Sequence, residues 1–315
     1  MRRLERAEID KALSQLNLMY IAEEAFAAQA RGDAVTPLAE PLDFAAQGQV
    51  RIGYGYLRHD RYYALRVESR FAANRKLGLP EGNALSLLFS QQTGELLALL
   101  EDGGSLRTTR AAVTGAVAAK YLGPRRVNRV GLLGAGEQAR AQLLYLQNVT
   151  DCRDVLVWDR SDDAADAFKL ELSFEGFVVK KAISPTEVAK TCNLIVTATA
   201  SPEPLLFAAD VRPGTHITAV GADDCFRQEL EPRILRRAQR LATESLEENM
   251  SRGEIHHALE AGCIGRGSVL ELGLIINGER RGRSSEEEIT VFDLSGSTVQ
   301  DVQLASAVYE HLVGL

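Results

Sequence analysis

The sequence predicts an α/β protein: a doubly wound, mostly parallel sheet accompanied by a smaller α+β domain. Three observations carry that prediction. From Gly123-Pro124 onward, short apolar strands alternate with helical stretches, the pattern of parallel strands joined by crossover helices. Within it, "RVGLLGAGEQARAQLLYLQNV" (129–149) runs from a strand through Gly134-Ala135-Gly136 into a helix. Before it, a helix is followed by antiparallel strands, and 315 residues suffice for two cores.

Taken in order, residues 18–31 place Met19, Ala22, Phe26 and Ala30 three and four apart, an amphipathic helix stopped by Gly32. Residues 61–69 alternate instead. Tyr63, Leu65 and Val67 share one face of a strand, and Tyr62, Ala64, Arg66 and Glu68 the other. "ALSLLFS" and "ELLALLE" flank Gln91-Gln92-Thr93-Gly94 as a hairpin. Seven strands follow the change of pattern: "RVGLLG", "DVLVW", "FVVKKA", "LIVTATA", "THITAVGA", "RLATES" and "ITVFD". Ser184-Pro185-Thr186-Glu187 supplies an N-cap, a first-turn proline and a capping-box glutamate. "STVQDVQLASAVYEHLVGL" reads as a closing helix, and periodicity leaves open which domain it joins.

Composition narrows the partners. Thirty-six Lys and Arg against 43 Asp and Glu give a net charge of -7, which repels nucleic-acid phosphate and anionic lipid. Cys152, Cys192, Cys225 and Cys263 contain no C-x-x-C pair and no adjoining histidine cluster, so neither a metal site nor a disulfide framework is expected. The charged start "MRRLERAEIDKALSQL" lacks a signal-peptide core and no run reaches membrane-spanning length, so a cytoplasmic protein is expected.

In a dinucleotide fold the first glycine, here Gly134, makes a tight turn. The second, Gly136, lets the backbone approach a pyrophosphate, and a third small residue, here Ala139, lets helix and strand pack closely. Phosphates then rest on the helix N-terminus. Asp159 lies 20 residues after Ala139, at the end of the next strand, where a carboxylate accepts ribose hydroxyls and repels a 2'-phosphate. That favours NAD over NADP, while Arg160 next door keeps NADP open. The competing reading of Asp159 is an N-cap for the helix that follows.

Beyond these motifs, the chain resembles the ornithine cyclodeaminase and mu-crystallin family, which includes archaeal-type alanine dehydrogenase and several imine reductases. The matching stretches are "LRTTRAAVTGAVAAKYL" (106–122), "GLLGAGEQA" (131–139), "VTATASPEPLL" (196–206), "GTHITAVGAD" with "QELEP" (214–232), "RGEIHHALEAG" (252–262) and "ITVFDLSGSTVQDVQLA" (289–305). The resemblance implies a Rossmann dinucleotide-binding domain over 123–298. It also implies a substrate-binding and dimerisation domain over 1–122 with 299–315, a homodimer, and substrate in the cleft between domains. Implied cofactor contacts fall on Gly134, Gly136, Glu137, Gln138, Ala139, Asp159 and Arg160, then on Thr197, Ala198, Thr199 and Val220, and finally on Ser295, Gly296 and Val299 near the nicotinamide. The family's carboxylate-gripping arginine falls on Arg110 and its acid/base aspartate on Asp223.

The chain also departs from the family. Counting back from Gly78-Leu79-Pro80 puts Arg66 where the family has a catalytic lysine; arginine stays charged, so it can clamp a carboxylate but titrates poorly. Ala111 replaces the threonine after the gripping arginine. A second family arginine expected near Pro37 is absent, and Arg51 is the candidate substitute. "DDCFRQE" replaces a small, proline-containing segment after Asp223.

Each site residue has a plainer reading. Arg107 and Arg110 share a helix face and are either solvated or gathered about an anion. Arg66 either contacts ligand or pairs with Glu68 along its strand, and Asp223 either exchanges protons at a strand's C-terminal end or caps a helix. His59, His216, His256, His257 and His311 form no triad or metal set, and no G-x-S-x-G appears. The function expected is an NAD(H)-dependent oxidoreductase moving hydride to or from the Cα of a small 2-amino or 2-imino acid. Asp223, Arg66 and Arg110 are its expected catalytic residues, and Arg110, Arg66 and Arg51 its substrate contacts. The alternatives are a cyclodeaminase using NAD catalytically and a non-catalytic, mu-crystallin-like binding protein.

Overall fold

The structure, a computed structural model, describes residues 1–38, 41–44 and 48–315, with residue 75 by its backbone alone. It divides into two compact units, Met1–Arg110 with Ser297–Leu315, and Ala111–Gly296.

The first unit opens with β1 (Arg2–Glu5), α1 (Arg6–Leu13) and α2 (Leu18–Ala30), followed by β2 (Ala34–Val35), β3 (Leu42–Asp43), β4 (Gln49–Leu57), β5 (Tyr62–Arg70), β6 (Gly82–Ser90) and β7 (Leu96–Glu101). These strands form one sheet in the order β1-β7-β6-β5-β4-β2, with β3 also on β4. β4 to β7 pair antiparallel, and Gly94 at φ +71 turns the expected hairpin. β1 runs parallel to β7 and was not legible in the sequence: three of its four residues are charged, and Leu4 alone is buried. One sheet face is covered by α1 and the C-terminal helix Thr298–Val313, on which α2 packs in turn, so the closing helix belongs to this unit. Ala25, Ala28, Leu57 and Val299 form a core cluster there. On β5 the covered face is that of Tyr62, Ala64 and Arg66, whereas Tyr63, Leu65 and Val67 are only half buried. The charged face is therefore the inner one.

α3 (Ser105–Leu122) crosses the division, which falls after Arg110 rather than at the composition change at Gly123. Its second half packs into the other unit; a Cβ at Gly115 would lie 2.0 Å from Gln142 Oε1. The glycine leaves room for the buried Gln142 amide, which a Cβ would displace.

The second unit continues with β8 (Val130–Leu133), α4 (Glu137–Leu146), β9 (Asp154–Trp158), α5 (Asp162–Phe174), β10 (Val178–Lys181), α6 (Pro185–Thr191), β11 (Leu194–Thr197) and β12 (His216–Ala219). Then come α7 (Pro232–Arg237), β13 (Arg240–Thr243), α8 (Leu246–Asn249), α9 (Gly253–Glu260), β14 (Val269–Glu271), α10 (Leu272–Ile276) and β15 (Thr290–Asp293). All eight strands are parallel, in the order β10-β9-β8-β11-β12-β15-β13-β14. Seven are those the sequence predicts, and β14 is the addition. β8, β11, β12 and β15 are buried at every residue, as a parallel sheet covered on both faces requires. Ser161 caps α5, and Ser184 caps α6 with Pro185 in its first turn while Glu187 accepts from the Ile183 amide. The sheet grows one way from β8 through β9 and the other way through β11, so the crossovers of the two halves lie on opposite faces. Their loops part above β8 and β11, the switch point where such sheets bind ligands. Among the described residues no helix is long and apolar enough to cross a membrane.

Candidate functional site

The glycine turn stands at that switch point. Gly134 has φ +101, its amide donates to the Trp158 carbonyl at 2.8 Å, and a Cβ on it would lie 2.6 Å from the Ala198 carbonyl oxygen. Conformation and space both demand glycine here. Gly136 differs. It is the N-cap of α4 at φ -83, where any residue is comfortable, and a Cβ there would meet nothing within 4 Å. No contact among the described residues requires Gly136, and it gives α4 no side-chain cap, unlike the serines before α5 and α6. An uncapped helix start beside open space is a cradle for an anion. Ala139 is fully buried between helix and sheet, and Glu137 and Gln138 begin the first turn near solvent.

Asp159 reaches back to this turn. Its Oδ2 accepts from the Ala135 amide and its Oδ1 from the Ser161 amide, both at 2.8 Å. Capping of α5 is done by Ser161, so the N-cap reading of Asp159 falls away. Arg160 is exposed.

Beyond β11 and β12, Ala198 and Thr199 are half buried, while Thr197 and Val220 are buried. The hydroxyls of Thr197 and Thr199 donate to Glu229, a buried residue whose role was not legible in the sequence. Asp223 follows on a loop, with no helix after it to cap. Its Oδ1 accepts from Arg227 Nη1 at 2.8 Å, while Asp224 takes the turn amides of Phe226 and Arg227. Asp223 is a quarter exposed and held by one arginine. Ser295 donates to Asn249 Oδ1 at 2.8 Å, and the Gly296 amide to Glu244 Oε2 at 2.6 Å. His216 is buried between Thr290 and Thr218. His256, His257 and Glu260 each bring a possible ligand atom within 4.8 Å of the others, with the two rings already bonded to the Met250 and Arg227 carbonyls.

In the first unit, Arg66 is only 3% exposed, and each of its three nitrogens is hydrogen-bonded by its own chain. Nε donates to Glu68, Nη1 to Ser86 and Asp102, and Nη2 to the second Asp102 oxygen. Asp102 also accepts from the Gly104 and Leu106 amides, closing the first turn of α3. The strand partner Glu68 is thus present, and Asp102 at the helix start, which the sequence did not point to, joins it. Burial works against the Arg66 charge, but Asp301, Glu68 and Asp102 outweigh it and raise its pKa. Arg110 Nη1 donates to the Ser297 carbonyl and to Asp301, at 3.1 and 3.0 Å. Burial would raise the Glu68 pKa, yet Arg66, Arg110 and Arg107 together lower it. Arg107 is exposed; Arg51 lies across from Glu68 in the β4–β5 register and donates to Gln49. Val299 has no exposed surface and packs in the core with Ala25, Ala28 and Leu57.

A parallel sheet with a glycine turn at its switch point and a carboxylate after the neighbouring strand defines a Rossmann-type protein, whose chain also carries an α+β unit. The chain belongs to the Ornithine cyclodeaminase/mu-crystallin family, whose sequence profile it matches over residues 2–314. It is similar to an archaeal alanine dehydrogenase dimer solved with bound NAD, with TM-score 0.94, 34% identity, and coverage of 100% of this chain and 96% of that one. It is also similar to the Delta(1)-pyrroline-2-carboxylate reductase of Thermococcus litoralis in complex with NADH and L-proline, with TM-score 0.93, 30% identity and coverage of 100% and 98%. Iminosuccinate reductase of Paracoccus denitrificans, in complex with NAD+, follows with TM-score 0.89, 29% identity and coverage of 100% and 97%.

Proposed function

We propose that this protein is an NAD(H)-dependent oxidoreductase acting at the Cα of a small 2-amino or 2-imino acid. The observation that carries the reading is Gly136, a glycine that no contact among the described residues requires, at an uncapped helix start facing open space. A diphosphate fits that cradle, held by first-turn amides of α4. Asp159, already oriented by the Ala135 amide, accepts the adenosine ribose hydroxyls, and its charge disfavours a 2'-phosphate. NAD, when bound, supplies the hydride acceptor or donor.

The chain's own groups do the rest. Arg110 binds the substrate carboxylate, a permanent cation well matched to that planar anion. Asp223, aimed by Arg227, exchanges the proton at the substrate nitrogen. Arg66, enclosed by Asp102, Ser86 and Glu68, ties β5 to the start of α3 and so positions Arg110. The relatives' substrates, alanine, a cyclic imino acid and iminosuccinate, share the carboxylate and the Cα–nitrogen bond on which this chemistry acts. We also assign the apolar face of exposed Tyr54 and half-buried Tyr56, Tyr63, Leu65 and Phe89, where Tyr63 and Phe89 stack at 4.8 Å, to contact with a second copy in a homodimer.

The test is a panel of amino acids with NAD, and of 2-oxo acids plus amines with NADH, followed at the nicotinamide absorbance. Sustained change coupled to one acid is the expected result. Ammonia release without net absorbance change would replace the reading with a cyclodeaminase.

A further inference from the structure

β11 and β12 are neighbours whose last residues, Thr197 and Ala219, are in register, and just beyond them Glu229 returns from a loop to bind both. Its Oε1 accepts from the Thr199 amide and hydroxyl at 2.6 and 2.7 Å. Its Oε2 accepts from the Thr197 hydroxyl and the Gly221 amide at 2.6 and 2.8 Å. The residue has no exposed surface and forms no ion pair among the described residues. Around it stand more acids. Glu254 accepts the Glu229 and Leu230 amides, and Asp293 accepts the Ile255 amide and the Asn249 side chain. Burying an acid without a cation is costly, so four convergent donors at two strand ends mark a place where geometry is being held.

What they hold is the far side of the crevice. A Cβ at Gly221 would lie 2.1 Å from the Thr199 carbonyl and 2.6 Å from the Glu229 carboxyl carbon, so the three groups are in closest packing. One residue back, the Ala198 carbonyl is what a side chain at Gly134 would strike. Glu229 therefore ties the β11 loop to the β12 loop. With the adenosine ribose at Asp159 beyond β9 and the diphosphate at Gly136, the rest of a dinucleotide extends over β11 and β12.

We propose that Glu229 is a positioning residue for the nicotinamide half of the cofactor, acting through Thr197, Thr199 and Gly221; this rests on the dinucleotide reading above. Glu229→Gln is the informative substitution. Each carboxylate oxygen faces a backbone N–H, so either orientation of the amide sets its NH2 against a main-chain donor that cannot turn away.

Calorimetry of wild type and variant with NADH and with ADP-ribose, which lacks the nicotinamide, separates the outcomes. We expect Glu229→Gln to weaken NADH at least tenfold while ADP-ribose stays within twofold. Equal weakening of both, or of neither, overturns the proposal. Should that variant not fold, Thr197→Val removes one donor alone and is expected to give a smaller split of the same sign; no split overturns the proposal equally. Wild type that binds neither ligand defeats the dinucleotide reading itself and the proposal with it.

Discussion

Arg66 and Asp102 form a two-pronged ion pair, 3.0 Å on each arm, between side chains 3% and 0% exposed. The same carboxylate binds two amides at the start of α3, so one acid joins a strand arginine to a helix terminus. Arg66→Ala strands the acid in a dry environment, and removing one member of such a pair costs about 3–5 kcal/mol. Urea unfolding is expected to show that loss. A change below about 1 kcal/mol, with raised KM for the acid, would restore Arg66 to the substrate contacts.

The two glycines of the turn are expected to part company when replaced. Gly134→Ala meets φ +101 and the Ala198 carbonyl, so its melting temperature should fall by several degrees, a left-handed alanine alone costing about 1–3 kcal/mol. Gly136→Ala meets neither obstacle and should melt like wild type while losing NADH affinity at least tenfold. Unchanged affinity would mean the open space beside it holds no diphosphate.

That pair shows what could be read without a structure. Two glycines after an apolar run and an acid one strand later are local features, and the chain realises each of them. Arg66 was harder. Glu68, two residues on, is visible in the sequence, but Asp102 is 36 residues away and reads as a loop acid. Glu229 is missed for the same reason, since its four donors come from Thr197, Thr199 and Gly221 on other segments. A glutamate in a loop gives no hint that it is dry. The boundary after Arg110 hides as well, because α3 runs through it without interruption.

Asp159→Ala removes the expected ribose acceptor and the group that binds the Ala135 amide. NADH affinity should fall far more than NADPH affinity, since the carboxylate repels a 2'-phosphate that Arg160, exposed next to it, can attract. Titration with both nucleotides measures the ratio. Parallel losses would assign Asp159 to the turn alone.

His216 makes a separate prediction about acid. Its ring lies between the hydroxyls of Thr290 and Thr218, and burial, reinforced by Arg283, lowers its pKa from 6.5 to about 3. The unfolded chain therefore takes up a proton near pH 6.5 that the folded chain refuses until about pH 3, so stability is lost as pH falls through that interval. The slope is about 1.4 kcal/mol per pH unit. Asp293, which burial pushes up to about 6, and Glu254, raised by burial and by Asp293 and Glu229, act in the opposite direction. Folded chains hold those protons more tightly, which favours the native state as pH falls below 6 and masks the histidine in the wild-type curve. Comparison with His216→Gln isolates it. The stability of wild type relative to the variant should decline steadily from pH 6.5 to 4.5 and stay level above pH 7.5. A constant difference across that range would mean that His216 is protonated in the fold, with one of the two threonine contacts reorganised to accept both ring donors.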